Sequence, residues 1–397
     1  MAEAGQLPRI APPEVMPGWA GTPVGCLPDA SQTLLLRAAL APDAEAAEAW
    51  SQWYARHGLE VPGEASLRLL PLVYRNLERC GGRPGPEWNK VRGMYRRSWA
   101  HNQWLYHRAQ PVLEEFSRAG WPVMLFKGAA LGLLAYPDPG ARPMLDVDIL
   151  VPPGLAADAF AAMEKMGWRA RRWRPGRLRR AFFSSTHAMD FESPEGGRID
   201  LHWHPLVQCC HESASRPFWR HASAVRFLEL DLKAPAATEH LLAVCVHGIV
   251  WSPLSGTRWV ADAMLLLRTH PVDWRRLEES ARELDLAPHL RAALRYLRSE
   301  WQAPVPDAVL AALELMPCRA STMAEYARDV APFARRTARQ DLLAFWGRWR
   351  RSLGGASPWL RLPQFAAYLQ HAFELERAGL LPAQLLRSAV RRIRSRA

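Results

Sequence analysis

Two stretches of the sequence decide the expected fold: LFKGAAL at residues 125–131 and RPMLDVDILV at residues 142–151. Each contains a short apolar run bounded by glycine or proline, which is typical of a buried β-strand. Side chains two positions apart in a strand point to the same face, so Asp146 and Asp148 project together while Val147 points into the core. The sequence therefore directs two carboxylates at one place.

This pair of carboxylates predicts a metal site. Two like charges repel each other and are costly beside an apolar layer, so a cation should lie between Asp146 and Asp148. Mg²⁺, which carboxylates and substrate phosphates bind together, is the natural occupant. A lone aspartate pair at a strand end can also face water or arginine, so the metal prediction depends on further features.

Three further features favour a site for phosphates and metal ions. Lys127 and Gly128 lie between a strand and a helix, where a glycine lets the backbone approach a ligand and the free N–H groups of the first helical turn attract phosphate. Arg142 lies just ahead of the two aspartates, within reach of a phosphate. Asp200, in RIDLHWHP at residues 198–205, supplies a third carboxylate on a separate strand.

Together these features resemble the DNA polymerase beta-type nucleotidyltransferase superfamily. Its signature is a glycine followed by a small residue, a helix, a strand with two aspartates and a later strand with one. More closely, the three motifs resemble a bacterial family of uncharacterised nucleotidyltransferases, over about residues 67–274. One departure is that the superfamily usually has Gly-Ser or Gly-Gly where this chain has Gly128 and Ala129. The missing hydroxyl removes one phosphate contact, for which Lys127 would substitute.

The resemblance implies a two-metal transfer of a nucleoside monophosphate from a triphosphate such as ATP to a hydroxyl acceptor, with release of pyrophosphate. It implies that Asp146 and Asp148 bind both ions, two Mg²⁺ or Mn²⁺, and that Asp200 helps to hold the ion that activates the acceptor. The residues expected to bind the nucleotide phosphates are Lys127, Gly128, Ala129 and Arg142. The acceptor stays open between a protein or peptide, an RNA end and a small molecule.

A hairpin expected over residues 181–204 offers a competing third carboxylate. If Glu192 pairs with Arg198 across the turn, Asp190 lies opposite Asp200 on the same face of the sheet. A slip of one residue would remove Asp190 from that face, and we rank Asp200 first because it matches the motif. Three residues are predicted to have secondary roles at the site, although structural roles would explain them equally well: His202, His247 and Asp262.

The expected fold class is α+β, with a polymerase beta-type domain between two helical regions. The predicted segments are a flexible tail at 1–30, a helical region at 31–120, a nucleotidyltransferase domain with a mixed sheet at 121–234 and a helical domain at 235–397, which would form the other wall of a cleft. The strands predicted in the central segment cover 122–126, 145–151, 168–173, 181–192 and 198–204, and its predicted helices cover 129–136 and 154–166.

The charge of the chain suits a polyanionic partner. The formal net charge is +12 and rests mostly on arginine, although a GC-rich genome would produce the same composition. Residues 169–180, RARRWRPGRLRR, interleave arginine with Trp173, a pattern that can bind RNA phosphates and stack on a base, or can simply be a solvated loop. A catalytically silent, basic RNA- or protein-binding module that retains the fold is therefore the alternative function.

Other features narrow the class of protein. Six scattered cysteines without a CxxC pair predict free thiols. No apolar stretch reaches the roughly 18 residues that a transmembrane helix requires, which predicts a cytoplasmic protein. The sequence has neither a Walker phosphate-binding loop nor a kinase catalytic-loop motif, so a kinase-like reaction is disfavoured.

Overall fold

A computed structural model of the chain describes residues 26–59, 64–81, 87–171, 180–250, 258–332, 335–353, 358–373, 375 and 378–381. Most of the flexible tail predicted at residues 1–30 and of the RNA contact predicted at residues 169–180 lies outside the described residues, at 1–25 and 172–179. In the described part the fold is α+β, as the sequence predicts, with a single mixed sheet of seven strands and many helices.

The sheet has the strand order β3-β4-β5-β2-β1-β7-β6. Its strands are β1 (Met124–Leu125), β2 (Val147–Leu150), β3 (Arg169–Ala170), β4 (Ala188–Glu192), β5 (Arg198–His202), β6 (Ser223–Phe227) and β7 (Leu230–Ala234). The pairs β2 with β5 and β1 with β7 are parallel, and the other neighbours are antiparallel. The two central carboxylate strands, β2 and β5, are therefore neighbours that point the same way.

The described residues also contain seventeen α-helices. They are α1 (Ala30–Leu40), α2 (Asp43–His57), α3 (Glu64–Leu67), α4 (Leu70–Arg79), α5 (Trp88–Arg118), α6 (Lys127–Leu134), α7 (Ala156–Lys165), α8 (Arg180–Ser185), α9 (Glu212–Arg220), α10 (Ala237–Gly248), α11 (Arg258–Thr269), α12 (Trp274–Glu283), α13 (Ala287–Trp301), α14 (Asp307–Leu315), α15 (Ala320–Val330), α16 (Ala338–Ser352) and α17 (Leu362–Ala372).

Alternation along β2 separates two hydrophobic cores. Val147 and Ile149 are fully buried in the core that β2 shares with α5 and α7, whereas Leu150 packs in the core on the other face with α6 and α10. The second core also contains Leu35 of α1 and Val260 of α11, so helices that precede and follow the strands in the sequence pack together. The predicted segment boundaries at residues 30, 120 and 234 stay predictions.

The hairpin of β4 and β5 has the predicted register. Glu192 pairs with Arg198, and Asp190 pairs with Asp200. The predicted first strand of this hairpin was too long, however, because α8 replaces its N-terminal half and β4 begins only at Ala188. Phe182 of α8 is buried among aromatic rings, and this packing holds the segment in a helix.

The hairpin of β6 and β7 was not predicted from the sequence. Its turn residues, Leu228 and Glu229, have φ angles of 49° and 62°, in the left-handed region that glycine or asparagine usually occupies. Without those residue types the usual hairpin signal is missing. Because β7 pairs with β1, this hairpin adds two strands to the sheet on the side away from β5.

All six cysteines carry free thiols, four of them buried. Among the described residues, none of the helices combines the length and the apolar character that crossing a bilayer requires.

Candidate active site

The parallel pairing of β2 with β5 brings two aspartates side by side. Asp148 and Asp200 are direct neighbours in the register, and both lie on the face opposite Val147 and Ile149. Asp146 immediately precedes β2 and is half-buried, while Asp148 is only 7% exposed. The alternation that buries the valine and isoleucine therefore also fixes the direction of the carboxylates.

Lys127 lies at the first position of α6, and only Phe126 separates it from β1. Its Nζ is 3.2 Å from Asp148 Oδ1 and 3.7 Å from Asp200 Oδ2. Its backbone has a φ of 38°, in the left-handed region that costs energy for a residue with a Cβ. The sequence predicts that Lys127 binds the nucleotide phosphates. In the structure its ammonium instead contacts the carboxylates of Asp148 and Asp200.

His202 bridges the same two aspartates. Its Nε2 lies 2.8 Å from Asp200 Oδ2, 3.3 Å from Asp148 Oδ1 and 3.1 Å from Lys127 Nζ. The imidazole has no exposed surface, and its edge packs on the Phe126 ring with 5.4 Å between ring centroids. The structure thus places a residue that the sequence ranked as secondary in direct contact with both carboxylates.

The charges around the three aspartates separate their acidities. Burial opposes ionisation of Asp148, but Lys127 and His202 outweigh it and lower its pKa to about 2. The same two groups, His202 first, hold the pKa of Asp200 far below its ordinary value in spite of burial. Burial and the charges of Asp148 and Asp200 raise the pKa of Asp146 to about 7. Two aspartates are thus firmly ionised and the third is a weak acid.

The donor atoms fit a divalent cation. One ligand atom each from Asp148, Asp200 and His202 lies within 4.8 Å of the other two. Carboxylate oxygens are the ligands of Mg²⁺ and Mn²⁺, and imidazole nitrogen is a ligand of the later transition metals. Asp146 is not in this group, although its charge interacts with both other aspartates. The residues present could therefore hold a metal ion.

Gly128 is required by close packing. Its backbone N–H donates to Asp148 Oδ2 at 3.3 Å. A Cβ at this position would lie 2.6 Å from Arg142 Nη1 and 3.3 Å from Met144 Sδ, so a larger residue would displace them. The next residue, Ala129, is fully buried in the core with α5, which leaves its backbone as the part that a phosphate could reach.

Arg142 and Asp262 form a buried ion pair with each other. Arg142 donates from Nε to Oδ1 at 2.8 Å and from Nη2 to Oδ2 at 2.9 Å, and Tyr136 Oη donates to Oδ1 at 2.6 Å. Burial opposes ionisation of Asp262, but Arg142 outweighs it and lowers the pKa. The pair ties α11 to the loop ahead of β2, while Arg142 Nη1 lies beside Gly128.

Two residues of α10 and α11 border the site. His247, near the end of α10, is exposed to solvent, and its imidazole interacts electrostatically with Lys127, Asp148 and His202. Arg258, which the sequence reasoning missed, donates from Nη1 to the carbonyl of Pro143 at 3.0 Å. Burial and the neighbouring Arg142 lower its pKa to about 10. Its position four residues before Asp262, on the same helical face, was the available signal.

The remaining predicted residues lie beside the site. Asp190 faces Asp200 across the hairpin, and its charge contributes to the raised pKa of Asp146. In the described part of the basic segment, Arg171 forms an ion pair with Glu192, with 3.3 Å between Nε and Oε2.

Comparisons with known proteins place these features in a family. A solved structure that matches is an antigenic nucleotidyltransferase-like protein from Paracoccidioides brasiliensis, with 13% identity, coverage of 55% of this chain and 95% of that chain, and a TM-score of 0.31. No curated protein matches the chain. The sequence profile of the family described as uncharacterised nucleotidyltransferase matches residues 65–301, which is more than half of the chain, and the chain therefore belongs to that family.

Proposed function

We propose that the chain is a metal-dependent nucleotidyltransferase that moves a nucleoside monophosphate from a triphosphate such as ATP to a hydroxyl acceptor and releases pyrophosphate. One observation carries this proposal: Asp148 and Asp200 lie on adjacent parallel strands, and their oxygens face one place that already contains a cation, the Lys127 ammonium. Membership of a nucleotidyltransferase family supports the same reaction.

The three aspartates would hold the metal ions. Asp148 and Asp200 are the central ligands because both are ionised at neutral pH, and Asp146 would complete the site once a dication lowers its raised pKa. Two Mg²⁺ or Mn²⁺ ions, when bound, would stabilise the entering and leaving oxygens of an in-line displacement at the α-phosphorus. His202 would orient the two carboxylates through its Nε2 contacts.

The surrounding cations would bind the triphosphate. Lys127, Arg142 Nη1 and Arg258 lie around Gly128 or the adjoining loop, where the positive end of the α6 dipole would also attract phosphate. Ala129 would contribute through its backbone. Asp262 would act indirectly, by fixing the guanidinium of Arg142.

The proposal also covers the type of domain, the acceptor and the cellular location. A mixed sheet whose neighbouring strands carry the aspartates supports a polymerase beta-type domain over about residues 121–234. His247 on α10 would face the nucleotide or acceptor side of the cleft. The acceptor would be a protein or peptide, an RNA end contacting residues 169–180, or a small molecule, encountered in the cytoplasm.

Two observations favour the alternative of a silent module that binds RNA or protein. Lys127 and His202 already neutralise Asp148 and Asp200, so the carboxylates are stable without a metal ion. The buried Ala129, in place of a serine hydroxyl, points the same way. Catalysis and a silent role differ in whether any nucleotide is consumed.

The test compares two labels on the same nucleotide. The purified chain is incubated with Mg²⁺ or Mn²⁺, each of the four nucleoside triphosphates and a cell extract as the source of acceptor. We expect label to be transferred from the α-phosphate and not from the γ-phosphate. Asp148→Asn should abolish the transfer, whereas Glu192→Gln, a matched loss of a carboxylate on β4, should retain it. Transfer of γ-label, or full activity of Asp148→Asn, would contradict the proposal.

A further inference from the structure

We infer that the Lys127 ammonium and a divalent ion exchange at one cation position between Asp148 and Asp200, and that the exchange releases Lys127 toward the triphosphate. The second half of this inference, the release of Lys127 toward the triphosphate, rests on the proposed function. Its first half, the exchange itself, concerns only residues of this chain and a metal ion.

The distances support a shared position. Lys127 Nζ lies 3.2 Å from Asp148 Oδ1, 3.7 Å from Asp200 Oδ2 and 3.1 Å from His202 Nε2. These are the same three groups whose ligand atoms cluster tightly enough to bind an ion. A bound Mg²⁺ ion lies about 2.0 to 2.1 Å from its oxygen ligands. An ion that close to Asp148 and Asp200 would fill the space that the Lys127 ammonium occupies. Binding of the ion therefore requires Lys127 to leave.

The charge balance explains why Lys127 occupies the position. Two ionised carboxylates this close would repel each other strongly in a buried site, and the ammonium compensates them. The His202 imidazole, which also contacts both carboxylates, carries a positive charge only when protonated, so it compensates them less than the ammonium does. Once a dication supplies the compensation, the position no longer favours Lys127.

The backbone and the surroundings provide the destination. Lys127 has a φ of 38°, a strained backbone conformation that the surrounding structure holds in place at the start of α6. It is followed directly by Gly128, next to Arg142 Nη1 and the first N–H groups of α6. A flexible lysine side chain that leaves the carboxylates can reach a phosphate at this helix start without movement of the sheet.

The experiment measures Mn²⁺ binding without nucleotide, by electron paramagnetic resonance of the free ion. Lys127→Met should bind Mn²⁺ at least about tenfold more tightly than the wild type, because no ammonium has to be displaced. Lys165→Met, which removes an exposed lysine from α7, should bind Mn²⁺ as the wild type does. Unchanged or weaker Mn²⁺ binding by a folded Lys127→Met would overturn the exchange. If this variant does not fold, Lys127→Gln provides the same comparison.

A second measurement tests the destination of Lys127. With saturating Mn²⁺, Lys127→Met should bind adenosine 5′-(α,β-methylene)triphosphate about tenfold more weakly than the wild type, since one phosphate contact is lost. Equal affinity of the two proteins would overturn the release toward the triphosphate. Tighter Mn²⁺ binding in a protein of which no form binds the nucleotide would support the exchange and contradict the proposed transferase function, so the two failures are distinguishable.

Discussion

Replacement of Gly128 by alanine should disrupt the site through a single methyl group. The new Cβ would lie 2.6 Å from Arg142 Nη1, 3.3 Å from Met144 Sδ and 3.5 Å from Asp148 Oδ2. An arginine terminus on the surface would move aside at little cost. Arg142 is buried and held by two hydrogen bonds to Asp262, so it can yield only by weakening that pair.

The expected cost is that of an overpacked core, about 1 to 3 kcal/mol of unfolding free energy. Gly132→Ala is a matched control because it adds the same methyl group to the same helix. There the nearest atom is Tyr106 Oη at 3.7 Å, which is an ordinary contact. Replacing a glycine inside a helix without a clash should stabilise the protein by about 0.5 to 1 kcal/mol.

The assay is urea denaturation of both variants, followed by binding of the same α,β-methylene triphosphate. Gly128→Ala should unfold at lower urea than the wild type and bind the nucleotide more weakly, since Arg142, Asp148 and the start of α6 all shift. Gly132→Ala should unfold at slightly higher urea and bind normally. If Gly128→Ala is as stable as Gly132→Ala, the close approach around Arg142 is not a constraint and this reasoning fails.

Two further predictions concern individual side chains. Asp200→Asn should lose several kcal/mol of transition-state stabilisation, a drop in turnover of about 100-fold or more. It should also melt at a lower temperature without metal, because the folded protein favours the ionised form of Asp200. Asp190→Asn should lose much less turnover, and the opposite ranking in a turnover assay would identify Asp190 as the metal ligand. His240 is fully buried, and burial lowers its pKa from 6.5 to about 4. Between these pH values the unfolded chain binds a proton that the folded protein does not. The free energy of unfolding should therefore fall by about 3 kcal/mol as the pH falls from 6.5 to 4. His240→Phe should therefore gain stability relative to the wild type at pH 4.5 compared with pH 7.5, measured by urea denaturation, and a pH-independent difference would show that the imidazole does not titrate this way.

Much of the site follows from local patterns in the sequence. The alternation around Asp146 and Asp148 requires both carboxylates to leave the core on one side, because the alternating residues Val147 and Ile149 are apolar. The register of the β4–β5 hairpin, with Asp190 opposite Asp200, follows from a short turn and a matched charge pair. These features depend on residues close in the chain, which is why the sequence is sufficient to predict them.

Tertiary structure alone decided which of these residues meet. Asp148 and Asp200 become neighbours because β2 pairs with β5, which is 52 positions away in the register. The Arg142 pair with Asp262 spans 120 residues, and the Lys127 contact with His202 spans 75. No local periodicity encodes such pairings. They arise from the packing of α6, α10 and α11 on one face of the sheet, where buried charges must find partners, and this packing turned separately predicted residues into one cluster.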